Sequence, residues 1–207
     1  MALRLNGSSS GYVELDVPAA AGSHTLTLPN SGGSSGQYLQ TNGSGGLSWQ
    51  TVTPALFESY AIICDQKASY ADGGTFTSGA WRTRDLNTEI DDPDGIVTIA
   101  SNQFTLGAGS YLIRWSAPAY YTSGHQTRLY DVTNTAALQI GSSAHTNANT
   151  SSTSSGSDRV TITANTTYEI QHRCSVTQTS IGFGLGSSGG PTWGDSLFTI
   201  VEIFKEA

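Results

Sequence analysis

The chain has 207 residues, 37% of them hydrophobic and only 12% charged, with 24 glycines and a formal net charge of −7. That charge excludes a broad electrostatic footprint for nucleic acid or an anionic membrane. Low charge content sets the chain apart from disordered sequences, and glycine placed between short extended runs favours an all-β fold with many turns.

Residues 1–53 read differently from the rest. Leu3 to Gly7 and Tyr12 to Val17 predict short alternating strands on either side of Ser8-Ser9-Ser10-Gly11. Thr25 to Pro29 predicts a third, Tyr38 to Thr41 a fourth with Asn42-Gly43 as its turn, and Leu47 to Val52 closes the segment. Strands this short, with few large apolar side chains, supply too little core, so the segment must pack on copies of itself or on another protein. Met1 to Leu5 turns polar at Asn6, which predicts neither a secretory leader nor a membrane span.

The second region, 54–207, begins at Thr53-Pro54-Ala55-Leu56. Phe57 to Asp65 predicts a strand buried on both faces around Ile62-Ile63-Cys64. Gly73-Gly74 marks a loop, and Trp81 to Ile90 reads as extended. Asp91-Asp92-Pro93-Asp94-Gly95 is a turn signal, because Asp bonds its own backbone, Pro fixes φ and Gly tolerates positive φ. Ile96 to Ile99 and Asn102 to Leu106 follow as strands, with Gly107-Ala108-Gly109 turning the chain. In the next strand Tyr111, Ile113 and Trp115 share one face, with Leu112 and Arg114 on the other. A turn at Ser123-Gly124 leads to an alternating Gln126 to Val132, then Ala136 to Ile140. Thr146 to Gly156 is almost wholly Asn, Ser, Thr and Ala, and predicts an exposed hairpin tip or loop. Asp158 to Thr163 is a strand, and so is Tyr168 to Val176, where Tyr168, Ile170, His172, Cys174 and Val176 share a face. After Gly-rich Gly182 to Gly194, the apolar Leu197 to Phe204 predicts a strand central to a sheet. Roughly eight to ten strands at this spacing predict a sandwich or jelly roll.

Chemistry-bearing residues are sparse. Glu89, Asp91, Asp92 and Asp94 form the densest acidic cluster, but the run lacks the spacing of a calcium loop and reads as a solvated turn. His24, His125, His145 and His172 show no metal-ligand spacing; His125 is expected at a loop end and His172 in the core or an interface. No nucleophile elbow or phosphate loop is present, and no metal or cofactor is expected. Cys64 and Cys174 lie in strand-like runs and read as buried thiols in preference to a disulfide. Tyr70, Trp81, Tyr120, Tyr121 and Trp193 fall in or near predicted loops, where exposed aromatics can stack on sugars or anchor an interface; the alternative is burial in the sandwich. Tyr120, Tyr121 and Trp193 are the candidate glycan or receptor contacts. The loops Thr146 to Gly156 and Gly186 to Gly194 are the candidate recognition rim.

Several runs carry a resemblance to known proteins. Leu86-Asn87-Thr88-Glu89, Gly95-Ile96-Val97, Phe104-Thr105-Leu106, Gly109-Ser110-Tyr111, Ser116 to Ala119, Arg128 to Val132 and Leu197 to Ile203 resemble the C1q/tumour-necrosis-factor-like jelly rolls that end bacteriophage fibre proteins. Leu26 to Pro29, Gly36 to Gln40 and Leu47 to Trp49 resemble the attachment segment of phage, especially cyanophage, fibres. The resemblance implies an all-β jelly-roll head behind a short β-rich attachment segment, assembled as a homotrimer in a virion and adhering to a host. It implies as partners another virion protein, through residues 1–53, and a host cell-surface polysaccharide. The apolar last strand and the aromatic-rich strands need cover, which makes Phe198, Ile200 and Tyr60 candidate trimer contacts. The chain has no long repetitive shaft and no collagen-like run, which suits a short tail fibre or one bound to a capsid. A capsid decoration protein is the first rival and a glycan hydrolase the second. An enzyme is not expected, since no carboxylate pair can be placed in a cleft from the sequence.

Overall fold

The computed structural model describes residues 3–16, 18–20, 22–52, 56–186 and 193–207, and divides the chain into a unit of Met1–Pro54 and a unit of Ala55–Ala207. Val17, the boundary residues Thr53, Pro54 and Ala55, and most of the predicted Gly186 to Gly194 loop lie outside the described residues.

The first unit contains two small antiparallel hairpins. β1 (Leu3–Asn6) pairs with β2 (Tyr12–Leu15), and β3 (Gln37–Thr41) pairs with β4 (Leu47–Thr51). The predicted strand at Thr25 to Pro29 reduces to one bridge, Thr27 to Gly46. Arg4 pairs with Glu14 and covers the Tyr12 ring, while Trp49 donates its indole N–H to the Ser31 carbonyl and lies over Gly33. A Cβ at Gly33 would come within 2.6 Å of that indole, and its φ of 72° suits glycine. Leu3, Leu5, Tyr12, Val13, Leu15, Leu26 and Leu28 are all exposed. The expectation that this segment leaves its apolar surface uncovered therefore holds for the single chain.

The second unit is a jelly roll of eleven described strands: β5 (Phe57–Lys67), β6 (Arg82–Thr83), β7 (Thr88–Asp91), β8 (Val97–Ala100), β9 (Gln103–Leu106), β10 (Gly109–Tyr120), β11 (Ser123–Asp131), β12 (Ala136–Thr146), β13 (Ser151–Ile162), β14 (Thr166–Cys174) and β15 (Ser196–Glu206). One sheet runs β13-β10-β15-β5-β7 and the facing sheet β12-β11-β14-β9-β8, with β6 added to β14. Among the described strands of this unit only β8–β9 and β11–β12 are hairpin neighbours, and every other consecutive connection crosses from one sheet to the other, as in a jelly roll. The terminal strand β15 sits at the centre of its sheet, as its apolar run predicts.

The alternation predicted for β10 is present: Tyr111, Ile113, Trp115, Ala117 and Ala119 are buried. Tyr111, Ile113 and Trp115 meet Leu129 and Ile170 of the facing sheet, together with Ile63, Val201 and Ile203, in one apolar core, while Ala119 joins a smaller cluster with Phe76, Cys174 and Phe183. The core fills the half of the sandwich nearer to Phe57 and Glu206, here called the base.

The predicted loop at Thr146 to Gly156 is corrected. Only 147–150 form the turn, and Ser151 to Gly156 belong to a twelve-residue strand paired along its full length with β10. Its hydroxyls take over the role of apolar packing. Ser154 is fully buried, accepts from the Thr127 N–H and donates to the Ser142 carbonyl, and the Ser155 N–H donates to the Ser142 hydroxyl. These bonds tie β13 to β11 and β12 of the other sheet. Gly156 lies opposite Trp115, whose ring crosses the space a side chain would take and whose indole N–H reaches the Thr127 hydroxyl at 2.8 Å. A Cβ at Gly156 would lie 2.2 Å from that ring. Gly156→Ala is expected to destabilise the jelly roll by about 1–3 kcal/mol through overpacking. Chemical denaturation followed by tryptophan fluorescence measures the loss, and an unchanged midpoint would refute it.

Candidate functional site

The end of the sandwich opposite the base is built from the ends of β5, β10, β12 and β14 and the starts of β11, β13 and β15. Its connections adopt unusual backbone. Five of the eight described non-glycine residues at positive φ, namely Tyr70, Tyr121, Ser123, Asn149 and Ser180, lie here. An aromatic residue at positive φ costs energy, so Tyr121 is held by its surroundings. The Tyr121 N–H donates to the Thr150 carbonyl, and the Thr122 N–H to the buried Thr146 hydroxyl at 2.7 Å. Between these turns lies a groove of about 540 Å³ walled by Tyr121, Ser123, His145, Asn147, Val176 and Gln178. Tyr121 is exposed, and Ser123 lies 3.3 Å from the His145 ring nitrogen. The groove thus offers one aromatic face with hydroxyl, imidazole and amide groups around it.

The predicted contact residues are brought together in part. Tyr121 lines the groove, and Tyr120 sits beside it at the strand end with its hydroxyl donating to Asn149. Trp193 is 69% exposed on the connection to β15 and does not line the Tyr121 groove. Tyr70 is exposed on the connection after β5. Trp81 is half-buried against the outer face of the second sheet, where the Arg128 guanidinium lies 4.3 Å from its ring centre.

Of the candidate trimer contacts, Phe198 is 5% exposed and packs against Gly184, so it has little surface left for a neighbouring chain. The bulge between Leu197 and Ile200 turns it inward. Ile200 is half-buried and lines a shallow outer groove with Arg114, Ser116 and Glu202. Tyr60 is partly exposed and donates its hydroxyl to Asp91 at 2.6 Å; that carboxylate holds the phenol pKa above its ordinary value. The acidic cluster builds the turn before β8. Asp92 accepts the N–H groups of Ile96 and Val97, and Asp94 accepts from the Ser59 hydroxyl.

His125 corrects its expected position at a loop end: it is buried within β11. Its Nδ1 lies 2.9 Å from Nε2 of the fully buried His172, and its Nε2 lies 2.8 Å from the Ser152 hydroxyl. Cys64 and Cys174 are both buried and unpaired; burial pushes the Cys174 thiol up to about 11 and raises that of Cys64. Close to the histidines lies the residue that the sequence signalled least, Arg84. It is fully buried and donates to the Thr199 hydroxyl at 2.7 Å, the Phe183 carbonyl at 2.9 Å and the Pro118 carbonyl at 3.2 Å, with its guanidinium 4.2 Å from the centre of the Phe183 ring. Desolvation lowers its pKa to about 10, which leaves it charged at neutral pH. Burial, aided by this charge, lowers His125 to about 4 and His172 well below its ordinary value.

No protein-family model matches the chain, and no curated protein matches it. Among solved structures it is similar to the globular domain of zebrafish complement 1qA protein, at 16% identity over 70% of this chain and 95% of that one, with a TM-score of 0.45. It is also similar to murine APRIL, at 8% identity over 71% and 98% with a TM-score of 0.45. Eiger TNF from S. frugiperda gives 10% identity over 75% and 94% with a TM-score of 0.48. The strand order, rather than this degree of overlap, defines the fold as an all-β jelly roll.

Two outcomes test the buried cluster. Arg84→Leu strands three acceptors and is expected to cost about 3 kcal/mol or more in chemical denaturation, at roughly 1 kcal/mol or more for each. The histidines set a pH dependence. An unfolded imidazole titrates near 6.5, so between that value and about 4 the unfolded chain binds protons that folded His125 does not. Their contribution is full above pH 6.5 and is lost as the pH falls through this window. The double variant His125→Asn/His172→Leu should flatten the stability profile between pH 6.5 and 4, and an unchanged slope would refute the assignment.

Proposed function

We propose that this chain is a structural fibre protein of a virion, a homotrimer whose jelly roll binds a host-surface glycan. Residues 1–53 attach it to another virion protein. The observation that carries the reading is the groove opposite the base, where Tyr121 stands exposed among Ser123, His145, Asn147 and Gln178. An aromatic face stacks on the apolar face of a sugar, and hydroxyl and amide groups suit its hydroxyls. The resemblance of both regions to phage fibre sequences supplies the setting. The uncovered apolar residues of the first unit supply the motive for assembly, since three copies could bury what one leaves exposed. The role is binding rather than catalysis, as the groove presents groups that hold a sugar by stacking and hydrogen bonds.

A second reading, a capsid decoration protein, is suited by the two small hairpins that the described residues of the first unit form. Full-length protein, with its mass measured by light scattering, should be a trimer and bind a subset of a microbial glycan array. Tyr121→Ala is expected to weaken that binding about tenfold or more while leaving the trimer intact, in line with a stacked aromatic worth 1–2 kcal/mol. A well-folded trimer that binds no glycan would favour decoration, and a monomer would overturn the assembly.

A further inference from the structure

A second groove lies on the outer face of the second sheet, at its end away from the base. It has a volume of about 380 Å³, within the roughly 300–1,000 Å³ range of small-molecule sites. It runs between β11, β12 and β14. Trp81 forms one wall, Gly124 opens the floor, and Gln126, Ser143, Arg173 and Ser175 line the sides. We propose that this groove binds a carboxylate-bearing sugar of an acidic polysaccharide. Trp81 lies against the sugar ring, Arg173 holds the carboxylate, and Gln126, Ser143 and Ser175 meet the hydroxyls. The inference rests on the glycan-binding reading above and adds a separate site and a ligand class.

Three observations carry it. The first is charge. The chain is acidic overall, yet four of its nine lysines and arginines, Arg82, Arg84, Arg128 and Arg173, lie on or beneath this part of the second sheet. Of the carboxylates near them, Glu169 is occupied by the side-chain amides of Gln103 and Gln171, and Asp65 and Asp85 are held by Lys67. Arg173 is exposed and, among the described residues, has no carboxylate partner. A guanidinium of this kind is matched to a carboxylate in a bidentate pair.

The second observation is rigidity. Arg128 stacks on Trp81, and its Nε donates to the Gln171 Oε1 at 2.7 Å. Gln171 in turn donates to Glu169, which also accepts from Gln103 at 2.9 Å. This chain of bonds across β11, β14 and β9 fixes the Trp81 ring before any ligand arrives, which lowers the entropy lost on binding. The third is hydrogen-bonding capacity. Gln126 spends its amide N–H groups on the Gly141 carbonyl and the Ser143 hydroxyl, leaving its carbonyl oxygen to accept from a sugar hydroxyl. The missing side chain at Gly124 keeps the trough open beside Ser175.

Calorimetric titration of full-length protein with galacturonic-acid oligomers, their methyl esters and neutral galactose oligomers tests this. Binding of the acid oligomer is expected, with at least a tenfold loss on esterification and in Arg173→Gln, an exposed substitution that leaves the fold intact. Tyr121→Ala should leave that affinity unchanged. The proposal is overturned if the acid oligomer does not bind, or if binding survives both esterification and Arg173→Gln. It is equally overturned if inorganic sulfate alone competes as well as the oligomer, which would mark an anion without a sugar site. Neutral oligomers that bind and respond only to Tyr121→Ala would remove this groove and leave the first one standing.

Discussion

One buried guanidinium sets the character of half the sandwich. Arg84 follows β6, its N–H donates to the Ile170 carbonyl of the second sheet, and its side chain crosses to Thr199 and Pro118 of the first. The same side chain holds the Phe183 carbonyl and lies against the Phe183 ring, which ties the connection between β14 and β15 to both sheets. A charge in this position cannot be left without donors and acceptors around it, so its neighbours must be polar and ordered. Asp65 and Asp85 favour the charge through space, and Lys67 holds both of them, at 2.9 and 2.8 Å.

The histidine pair follows from that charge. Burial next to Arg84 keeps both imidazoles neutral, and a neutral imidazole has one donor and one acceptor nitrogen. The bond between His125 Nδ1 and His172 Nε2 needs one nitrogen to donate and the other to accept, which a neutral pair supplies and two protonated rings cannot. The other nitrogen of His125 then meets Ser152, which explains why a serine-rich strand can occupy an interior edge. Below, near the base, packing is apolar and non-directional. Above, directional bonds among Arg84, His125, His172, Thr127, Ser154 and Thr199 surround a smaller apolar cluster of Phe76, Ala119, Cys174 and Phe183. Directional bonds hold the ends of β10, β11 and β14 in place, and those strand ends carry both grooves. The grooves are therefore borne mainly by strand ends and short turns, to which the longer connections add Trp81, Val176 and Gln178.

What was legible in the sequence was what repeats with a short period. Tyr111, Ile113 and Trp115 alternate, and so do Tyr168, Ile170, His172 and Cys174, because one buried face of a strand imposes period two. The central position of β15 was legible from its apolar run. Ser151 to Gly156 was not, since a strand that satisfies its interior face with hydroxyls carries no hydrophobic signal. Thr25 to Pro29 misled in the other direction: its alternation is real, but only Thr27 finds a partner. Arg84, His125, His172 and Thr199 are far apart along the chain, and no spacing rule joins them. Tyr120 and Tyr121 were legible as aromatics beside a turn. The Trp81 wall was named as an aromatic, but its union with Arg128 and Arg173 depends on β6 and β11 both pairing with β14.

Net charge shows the same limit. A value of −7 describes the field far from the molecule, where opposite charges average out. At contact range the field is set by which residues share a sheet face, screened beyond about 8–10 Å by salt. The alternation of β14 places Arg173 outward while His172 and Cys174 point inward, and the alternation of β11 places Arg128 beside it. Two strand periods in register thus collect cations on one patch of an acidic protein. Other carboxylates are spent elsewhere, with Asp92 and Asp94 in a turn and Glu58, Glu202 and Glu206 paired on the other sheet. The acidic bulk repels polyanions at a distance, and the arginine patch can hold one carboxylate at close range.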